Sequence, residues 1–363
     1  MHPSNINPNI TMQIDVRPIE KSRVSSVDWE NLGFGRTFSD HMFIVDYTEG
    51  EGWHDARIEP YDNFSFAPSM SSLHYGQSIF EGMKAFRNSA GKLVLFRPDE
   101  HCARFNRSAV RMCMPEIPEA LFMDGLKQVV ALDKNWVKNE PGGQLYIRPM
   151  MFGTQEFLGV QASQTYRLVI FTCPVGAFYK EPVNVWVEDE EVRAAPGGVG
   201  AAKTAGNYAR TIKIQREKQN EGYHVVLWLD AINHRFVEEY STMNAFFVID
   251  DVVITPPTSD TILPGITRKS AVKLLEDNGY KLQVRRIAID EIVRAYACGK
   301  LQEAFGAGTA AVVSPVKSLT FHGQRMELPD FSEMKHGQFI KQTLHKMRVG
   351  EAEDPYHWIV PVN

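Results

Sequence analysis

Lys203 lies in the run Gly197-Gly198-Val199-Gly200-Ala201-Ala202-Lys203-Thr204-Ala205-Gly206-Asn207-Tyr208, with small residues around it and no charged residue within five positions on its N-terminal side. A lysine in a tight, partly desolvated pocket loses its preference for the charged form, and the neutral amine attacks a carbonyl to give a Schiff base. Two other readings compete. One is a glycine-rich surface turn carrying a solvated lysine. The other is a phosphate-binding P-loop of a nucleotide hydrolase: residues 197–204 read G-x-x-x-x-A-K-T, and the apolar stretch 225–229 ends at Asp230 as a magnesium-holding strand would. Against that loop, Ala202 stands where glycine is required, and Arg193-Ala194-Ala195-Pro196 is no buried strand to launch it.

A reactive lysine needs a carbonyl partner, and a cofactor that brings both a carbonyl and a phosphate is pyridoxal phosphate. Its chemistry asks for an acid that keeps a proton on the pyridine nitrogen and for a phosphate cup of arginine and backbone amides. Glu239, 36 residues after Lys203 and at the end of an expected strand, is a candidate ring acid. Its rival reading is a solvated strand end, since Glu238 adjoins it. The helix expected to open at Ile266-Thr267, directly after Pro264-Gly265, offers free amides and a positive dipole end to an anion, with the Thr267 hydroxyl beside them. Arg104 belongs to a helical set with Arg107 and Arg111, a spacing that more often marks a solvated basic face.

These residues need a scaffold, and 363 residues suffice for two domains with separate cores. Apolar content of 44% and charged content of 23% are those of a globular protein, and a net charge of −5 argues against a nucleic-acid partner. No apolar run is long enough to cross a bilayer, and the first 25 residues form no apolar signal core, so a cytoplasmic setting is expected. Cys102, Cys113, Cys173 and Cys298 are isolated, which fits a reducing compartment and speaks for no metal site.

The pattern is α plus β in both halves, with helices too unevenly placed for a doubly wound parallel sheet. One helix opens at Pro98 and another is expected over 119–137, with Phe122, Leu126, Val129, Val130 and Val137 on one face. Strands are expected over 144–150, which puts Tyr146 and Arg148 on one face, and over 167–172. Residues 174–182, bracketed by prolines, are the expected connector between a smaller domain over 1–173 and a larger one over 183–363 that carries the lysine. The second half is expected to hold a helix over 208–220, a strand over 225–229, a hairpin turning at Asp250-Asp251, a helix from Ile266 to Asn278-Gly279, and a turn over 306–310.

The sequence resembles the class IV pyridoxal-phosphate aminotransferases, and within them the branched-chain amino acid aminotransferases. The likeness runs from Phe34 to Pro315 through FGRTFSDHM (34–42), LHYGQSIFEGMKAF (73–86), LFRPDEHCARFNRSA (95–109), LYIRP (145–149) and GAAKTAGNYA (200–209). Glu239, Asn244, Phe246, Thr255 and Gly265-Ile266-Thr267-Arg268 fit the class signature. The resemblance implies the two-domain α/β fold of the D-amino acid aminotransferase type and a homodimer with its site at the subunit interface. It also implies reversible transfer of the amino group of leucine, isoleucine or valine to 2-oxoglutarate. D-amino acid aminotransferases and an aminodeoxychorismate lyase share the class, but the motifs at 81–84 and 146–149 favour the branched-chain branch.

Carried over by position, the resemblance makes Lys203 the Schiff-base lysine and proton carrier, Glu239 the partner of the pyridine nitrogen, and Tyr208 that of the ring hydroxyl. Arg104, Ile266, Thr267 and Thr309 would form the phosphate cup, with Arg193 lining the site and Thr242 beside the substrate. Phe34, Phe80, Tyr146, Phe178 and Ala310 would wall the pocket, with Tyr75 reaching in from a neighbouring subunit. The same pocket must take glutamate, whose second carboxylate would meet Arg148 and tyrosine hydroxyls, while the amides of Thr309 and Ala310 would take the α-carboxylate. Phe178 stands where relatives often have tyrosine, and Ala311 and Ser314 stand where some animal relatives carry a cysteine pair, so no thiol switch is expected there.

Overall fold

The computed structural model describes residues 12–176, 179 and 181–362. Phe178 lies outside the described residues. The chain divides into two compact units: residues 1–178 with 202–205 and 346–363, and residues 179–201 with 206–345. The first crossing falls within the expected connector, but the partition differs from a single cut. Residues 202–205 belong with the N-terminal sheet because Thr204 bridges Ile79 on its edge strand, and the C-terminal residues return because Ile359–Pro361 pairs antiparallel with Leu93–Phe96. The first unit is therefore the larger, and it carries Lys203.

The first unit is a nine-stranded sheet ordered Asp15–Val16, Gly52–Pro60, His41–Thr48, Thr165–Pro174, Gln144–Gly153, Met83–Arg87, Leu93–Phe96, Ile359–Pro361, with Ser78–Phe80 branching from Gln144–Gly153. Apart from the parallel pairing of the short first strand, its ladders are antiparallel. Its core contains Phe43, Ile58, Leu95, Phe105, Phe122, Leu126, Ile147 and Ile170. Helix Pro98–Arg111 starts on a proline followed by Asp99 and Glu100, which suits the positive helix end. It buries His101, Cys102, Arg104, Phe105, Ser108 and Ala109 on one stripe, leaving Arg107 and Arg111 exposed. The second helix ends sooner than the apolar spacing suggested. It spans Glu119–Leu132, and a single 3₁₀ turn, Lys134–Trp136, follows. Asp133 breaks it, because its buried carboxylate is held by the His41 ring at 2.6 Å and the His41 N–H at 3.2 Å.

The second unit has a nine-stranded sheet ordered Val237–Tyr240, Val225–Leu229, Val183–Glu188, Val312–Phe321, Leu301–Gly308, Met243–Ile249, Val252–Thr255, Leu282–Val284, with Gln324–Glu327 added to Val312–Phe321. Pairing of Val237–Tyr240 with Met243–Ile249 closes six of these strands into a ring, which removes open edges there. Its core includes Val185, Leu227, Tyr240, Phe247, Ile254, Ile292, Ala304 and Leu319. Helix Ala205–Asn220 opens three residues before the expected start, and Ile266–Asp277 ends at Asn278 as expected. Residues 306–308 continue a strand, so the turn is confined to 309–311. Mixed parallel and antiparallel ladders in this ring confirm an α+β arrangement rather than a doubly wound sheet.

Candidate active site

Lys203 is fixed through its backbone. Its N–H donates to Ser108 Oγ at 2.9 Å, and its carbonyl accepts the Phe80 N–H at 3.0 Å. The next residue adds a third tie, Thr204 Oγ1 donating to the Ser78 carbonyl at 2.8 Å. Ser108 in turn donates to the Arg104 carbonyl one helical turn back, which links the lysine to the helix that holds the arginine. The ammonium lies over the Phe80 ring, 4.7 Å from its centroid. The same ring has the Arg148 guanidinium 4.7 Å from its centroid, while Arg148 Nη2 donates to Tyr146 Oη at 3.3 Å. Phe34 meets Tyr146 edge-on at 4.9 Å. Phe34, Phe80, Tyr146, Arg148 and Lys203 thus form one aromatic-walled group in the first unit, and Arg148 Nε is buried without an acceptor.

Arg104 is 4% exposed, and its burial decides against the solvated basic face. Its Nε and Nη2 donate to the two oxygens of Glu81 at 2.6 and 2.9 Å. Glu81 is fully buried and also takes Nδ1–H of His101 at 2.7 Å and the Gly82 N–H at 3.1 Å. Burial alone would raise the Glu81 carboxyl, but the Arg104 charge and the hydrogen bonds overcome it and hold the acid far below its ordinary value. Burial keeps His101 below its ordinary value despite Glu81, so the ring is a neutral donor at pH 7. Glu81, His101 and Ser108 carry no catalytic signature in sequence. Only the i, i+3, i+7 spacing of 101, 104 and 108, read against a nearby buried acid, could have pointed to them.

In the second unit Glu238 and Glu239 are both buried, at 6% and 5% exposure, which removes the surface reading of this pair. Glu239 Oε1 faces Arg193 Nε at 2.8 Å, and Oε2 accepts from Asn244 Nδ2 at 3.0 Å. Asn244 is the cross-strand neighbour of Glu239 across the two-residue turn Ser241-Thr242. It also donates to the Leu263 carbonyl at 2.9 Å, and a Cβ on Gly265 would collide with its Oδ1. That contact brings the start of helix Ile266–Asp277 against Asn244, the hydrogen-bond partner of Glu239. The helix has no side-chain cap, which leaves its first amides without a capping acceptor at its positive end, and Thr267 in its first turn is buried. Gly308 approaches the same turn, with the Thr242 carbonyl 3.2 Å from where its Cβ would sit, and Thr309 and Ala310 follow in the adjacent turn. The Tyr179 hydroxyl bonds to the Thr242 side chain. Tyr208 lies in the first turn of Ala205–Asn220. Tyr75 ends the short helix Ser71–Tyr75 and is 42% exposed.

The P-loop reading fails on hydrogen bonds. A phosphate loop needs unused amides, whereas Gly197 N–H donates to Asp260 Oδ2 at 2.6 Å, Gly198 N–H to the Ala195 carbonyl at 3.0 Å and Ala201 N–H to the Asp260 carbonyl at 2.9 Å. Asp230 is a turn anchor, not a magnesium ligand. Although burial opposes ionisation, the amides of Phe236, Asn233 and Arg235 hold its carboxyl down to about 2.

These residues suit pyridoxal phosphate by their donor set. A buried carboxylate held at both oxygens matches a pyridine nitrogen, and an uncapped helix start with a buried hydroxyl matches a phosphate. Among the described residues, no cluster of His, Cys, Asp and Glu could hold a metal, and no helix is long and apolar enough to cross a membrane.

Residues 78–319 match the model of the amino-transferase class IV family. Branched-chain-amino-acid transaminase 1 of Bacillus subtilis (strain 168) is 47% identical over 339 residues, covering 92% of this chain and 95% of that protein. The crystal structure of branched-chain aminotransferase from the thermophilic archaeon Thermoproteus uzoniensis with norvaline superposes with a TM-score of 0.73 at 27% identity, covering 88% of this chain and all of that one. The branched-chain amino acid aminotransferase from Escherichia coli gives a TM-score of 0.72 at 26% identity, with 88% of this chain and 99% of that one covered. With more than half of the chain inside the class model and near-full coverage of a relative well above a third identical, the chain belongs to the class IV aminotransferases, in their branched-chain amino acid branch.

Proposed function

We propose that this protein transfers the amino group of leucine, isoleucine or valine reversibly to 2-oxoglutarate, using pyridoxal phosphate carried on Lys203. The observation that carries this reading is the lysine itself, pinned by Phe80 and Ser108 through its backbone with its ammonium over an aromatic face. When bound, the cofactor draws electrons from the substrate's Cα and stores the amino group between two half-reactions. Lys203 would hold the cofactor and, once released, its amine would move the proton at the substrate's Cα. Glu239 keeps a proton on the ring nitrogen, and Arg193 and Asn244 hold Glu239 in place. Tyr208 binds the ring hydroxyl, and Arg104, Ile266, Thr267 and Thr309 bind the phosphate.

Phe34, Phe80, Tyr146 and Phe178 supply an apolar wall for a branched side chain, with Thr242 and Ala310 beside the substrate. Arg148, whose buried Nε lacks an acceptor, serves the second carboxylate of glutamate. The amides of Thr309 and Ala310 take the α-carboxylate. Exposed Tyr75 serves a second copy of the chain, which makes the working form a homodimer. Four unpaired cysteines suit a cytoplasmic setting.

The test is spectroscopic. Purified protein should be yellow, lose its colour with leucine and regain it with 2-oxoglutarate. Borohydride should fix the cofactor to Lys203, and Lys203→Ala should lower turnover by about 10²–10⁴-fold, the range for loss of a general base. A colourless protein indifferent to added pyridoxal phosphate refutes the activity, and a label on another lysine refutes the site.

A further inference from the structure

Glu238 and Glu239 adjoin, and both are buried in the second unit. In a regular strand neighbouring side chains point to opposite faces, so only one of the two acids could serve a given site. Here the register is irregular. Leu227 pairs with Tyr240 and Leu229 with Val237, which sets Glu238 and Glu239 together opposite Trp228. This is a β-bulge, in which one extra residue re-aims the side chains beside it. Glu239 Oε1 lies 2.8 Å from Arg193 Nε, and Glu238 Oε1 accepts from Thr261 Oγ1 at 2.5 Å. The second oxygen of Glu238 is buried and has no hydrogen-bond partner among the described residues.

Thr261 joins the two acids. Its carbonyl accepts from Arg193 Nη2 at 2.5 Å, and the same nitrogen donates to the Gly200 carbonyl at 2.8 Å. Ser259 Oγ lies 2.9 Å from the Thr261 hydroxyl. Asp260, between them, accepts the Ala201 N–H on its carbonyl and the Gly197 N–H on Oδ2. A Cβ on Gly200 would stand 2.7 Å from Thr261 Cα, so the two segments are in close contact. Residues 259–261 therefore bracket both Arg193 and the run 197–201, and Glu238 holds that bracket from the strand. Burial raises the Glu238 carboxyl above its ordinary value, opposed by the Thr261 hydrogen bond and the Arg193 charge and reinforced by Asp230 and Asp260. An acid pushed in that direction is a poor permanent anion, which suits a support rather than a charge partner.

We propose, on the assignment of Glu239 to the ring nitrogen made above, that Glu238 is a positioning residue that acts through Thr261 to fix Arg193 against Glu239. The two adjacent acids thus divide the work. Glu239 answers the nitrogen, and Glu238 keeps the guanidinium that orients Glu239 in place. The link runs through hydrogen bonds, so it needs an acceptor at position 238 and a hydroxyl at position 261, and it does not need a charge on Glu238.

The full-length apoenzyme should be titrated with pyridoxal phosphate and with the analogue whose ring nitrogen is replaced by C–H. The two share phosphate, ring hydroxyl and aldehyde, so the ratio of their affinities reads the contact between acid and nitrogen. Wild type should prefer the natural cofactor by at least about tenfold, the worth of a charge-assisted hydrogen bond. Glu238→Ala should cut that preference by about 3–10-fold, the worth of one hydrogen bond. Glu238→Gln keeps an acceptor for Thr261 and should retain the wild-type preference. If Glu238→Ala does not fold, Thr261→Val removes the same hydrogen bond and is read in its place. A merely structural role would weaken both ligands equally and leave the ratio alone. An unchanged ratio in Glu238→Ala or Thr261→Val, or a ratio in Glu238→Gln as low as in Glu238→Ala, overturns the positioning role and leaves the assignment of Glu239 standing. A wild type without any preference overturns that assignment, and the positioning role with it.

Discussion

Glu81 and Arg104 form a two-point ion pair of 2.6 and 2.9 Å, with the acid fully buried and the arginine 4% exposed. The geometry fixes the orientation of the guanidinium that is assigned above to the phosphate. It also makes Glu81 costly to remove, because the lone arginine would stay buried. Glu81→Gln should cost about 3–5 kcal/mol in urea unfolding, the range for breaking a buried pair. The pH signature has a definite sign. The folded Glu81 carboxyl sits far below its ordinary value of 4.5, so its contribution is present above that value and is lost as pH falls below it. His101, held below 6.5 by burial, acts in the same direction, since the unfolded ring takes a proton first. The variant should therefore show a shallower loss of stability between pH 4.5 and acid than the wild type, and an identical slope would mean that Glu81 is protonated in the fold.

Gly265 packs against the partner of Glu239. A Cβ there would run into Asn244 Oδ1 and stand 3.5 Å from the Arg268 Cβ. Gly265→Ala must push Asn244 away from Glu239 or displace the start of helix Ile266–Asp277. Overpacking of this kind costs about 1–3 kcal/mol, and both escapes weaken groups assigned to the cofactor. Titration of the apoenzyme with pyridoxal phosphate should show at least about tenfold weaker binding, equivalent to 1.4 kcal/mol. Wild-type affinity in this variant would show that neither group matters to cofactor binding.

The contrast between Glu239 and Arg104 shows what the sequence conveys. The spacing of five positions from Glu239 to Asn244 is visible in the chain, but its meaning is a hairpin register, residues paired across a two-residue turn. Local spacing of that kind is legible because strand period and turn length set it. Arg104, Arg107 and Arg111 repeat at helical spacing, and nothing local says which of them is buried. Glu81, 23 residues away and on another element, selects Arg104. The placement of Lys203 was illegible for the same reason. Its anchors, Phe80 and Ser108, are about a hundred residues distant, and the flanking glycines report only local freedom. The early end of the second helix has a similar cause, since Asp133 answers to His41 across 92 positions.

Cysteine reactivity should divide by burial. Burial raises Cys102 to about 12 and Cys173 to about 11, whereas Cys113 and Cys298 are exposed. The thiolate is the nucleophile, so the first pair should be inert near neutral pH. Iodoacetamide on the native protein at pH 7.5, followed by peptide mass mapping, should label Cys113 and Cys298 and spare the other two until denaturant is added. Labelling of Cys102 in the native state would mean that the helix Pro98–Arg111 opens readily.

Gly82 packs directly against Tyr146, which is proposed above as part of the substrate wall. A Cβ at Gly82 would overlap Tyr146 Oη and come within 2.9 Å of Cζ. The ring cannot stay in place beside it. Tyr146 is packed edge-on against Phe34 at 4.9 Å and accepts from Arg148 at 3.3 Å, so its displacement changes both the apolar wall and the orientation of the guanidinium. The backbone hydrogen bonds that hold Lys203, to Phe80 and Ser108, do not involve that ring, so on the reading proposed above cofactor loading should survive its displacement. Gly82→Ala should keep the yellow colour while kcat/KM for leucine falls by about 10–200-fold, the effect of 1–3 kcal/mol in an apolar pocket. Glutamate should suffer at least as much, because on the reading proposed above it uses Arg148 as well as space. A variant that loses its colour, or that handles both donors as the wild type does, would detach Tyr146 from the substrate wall.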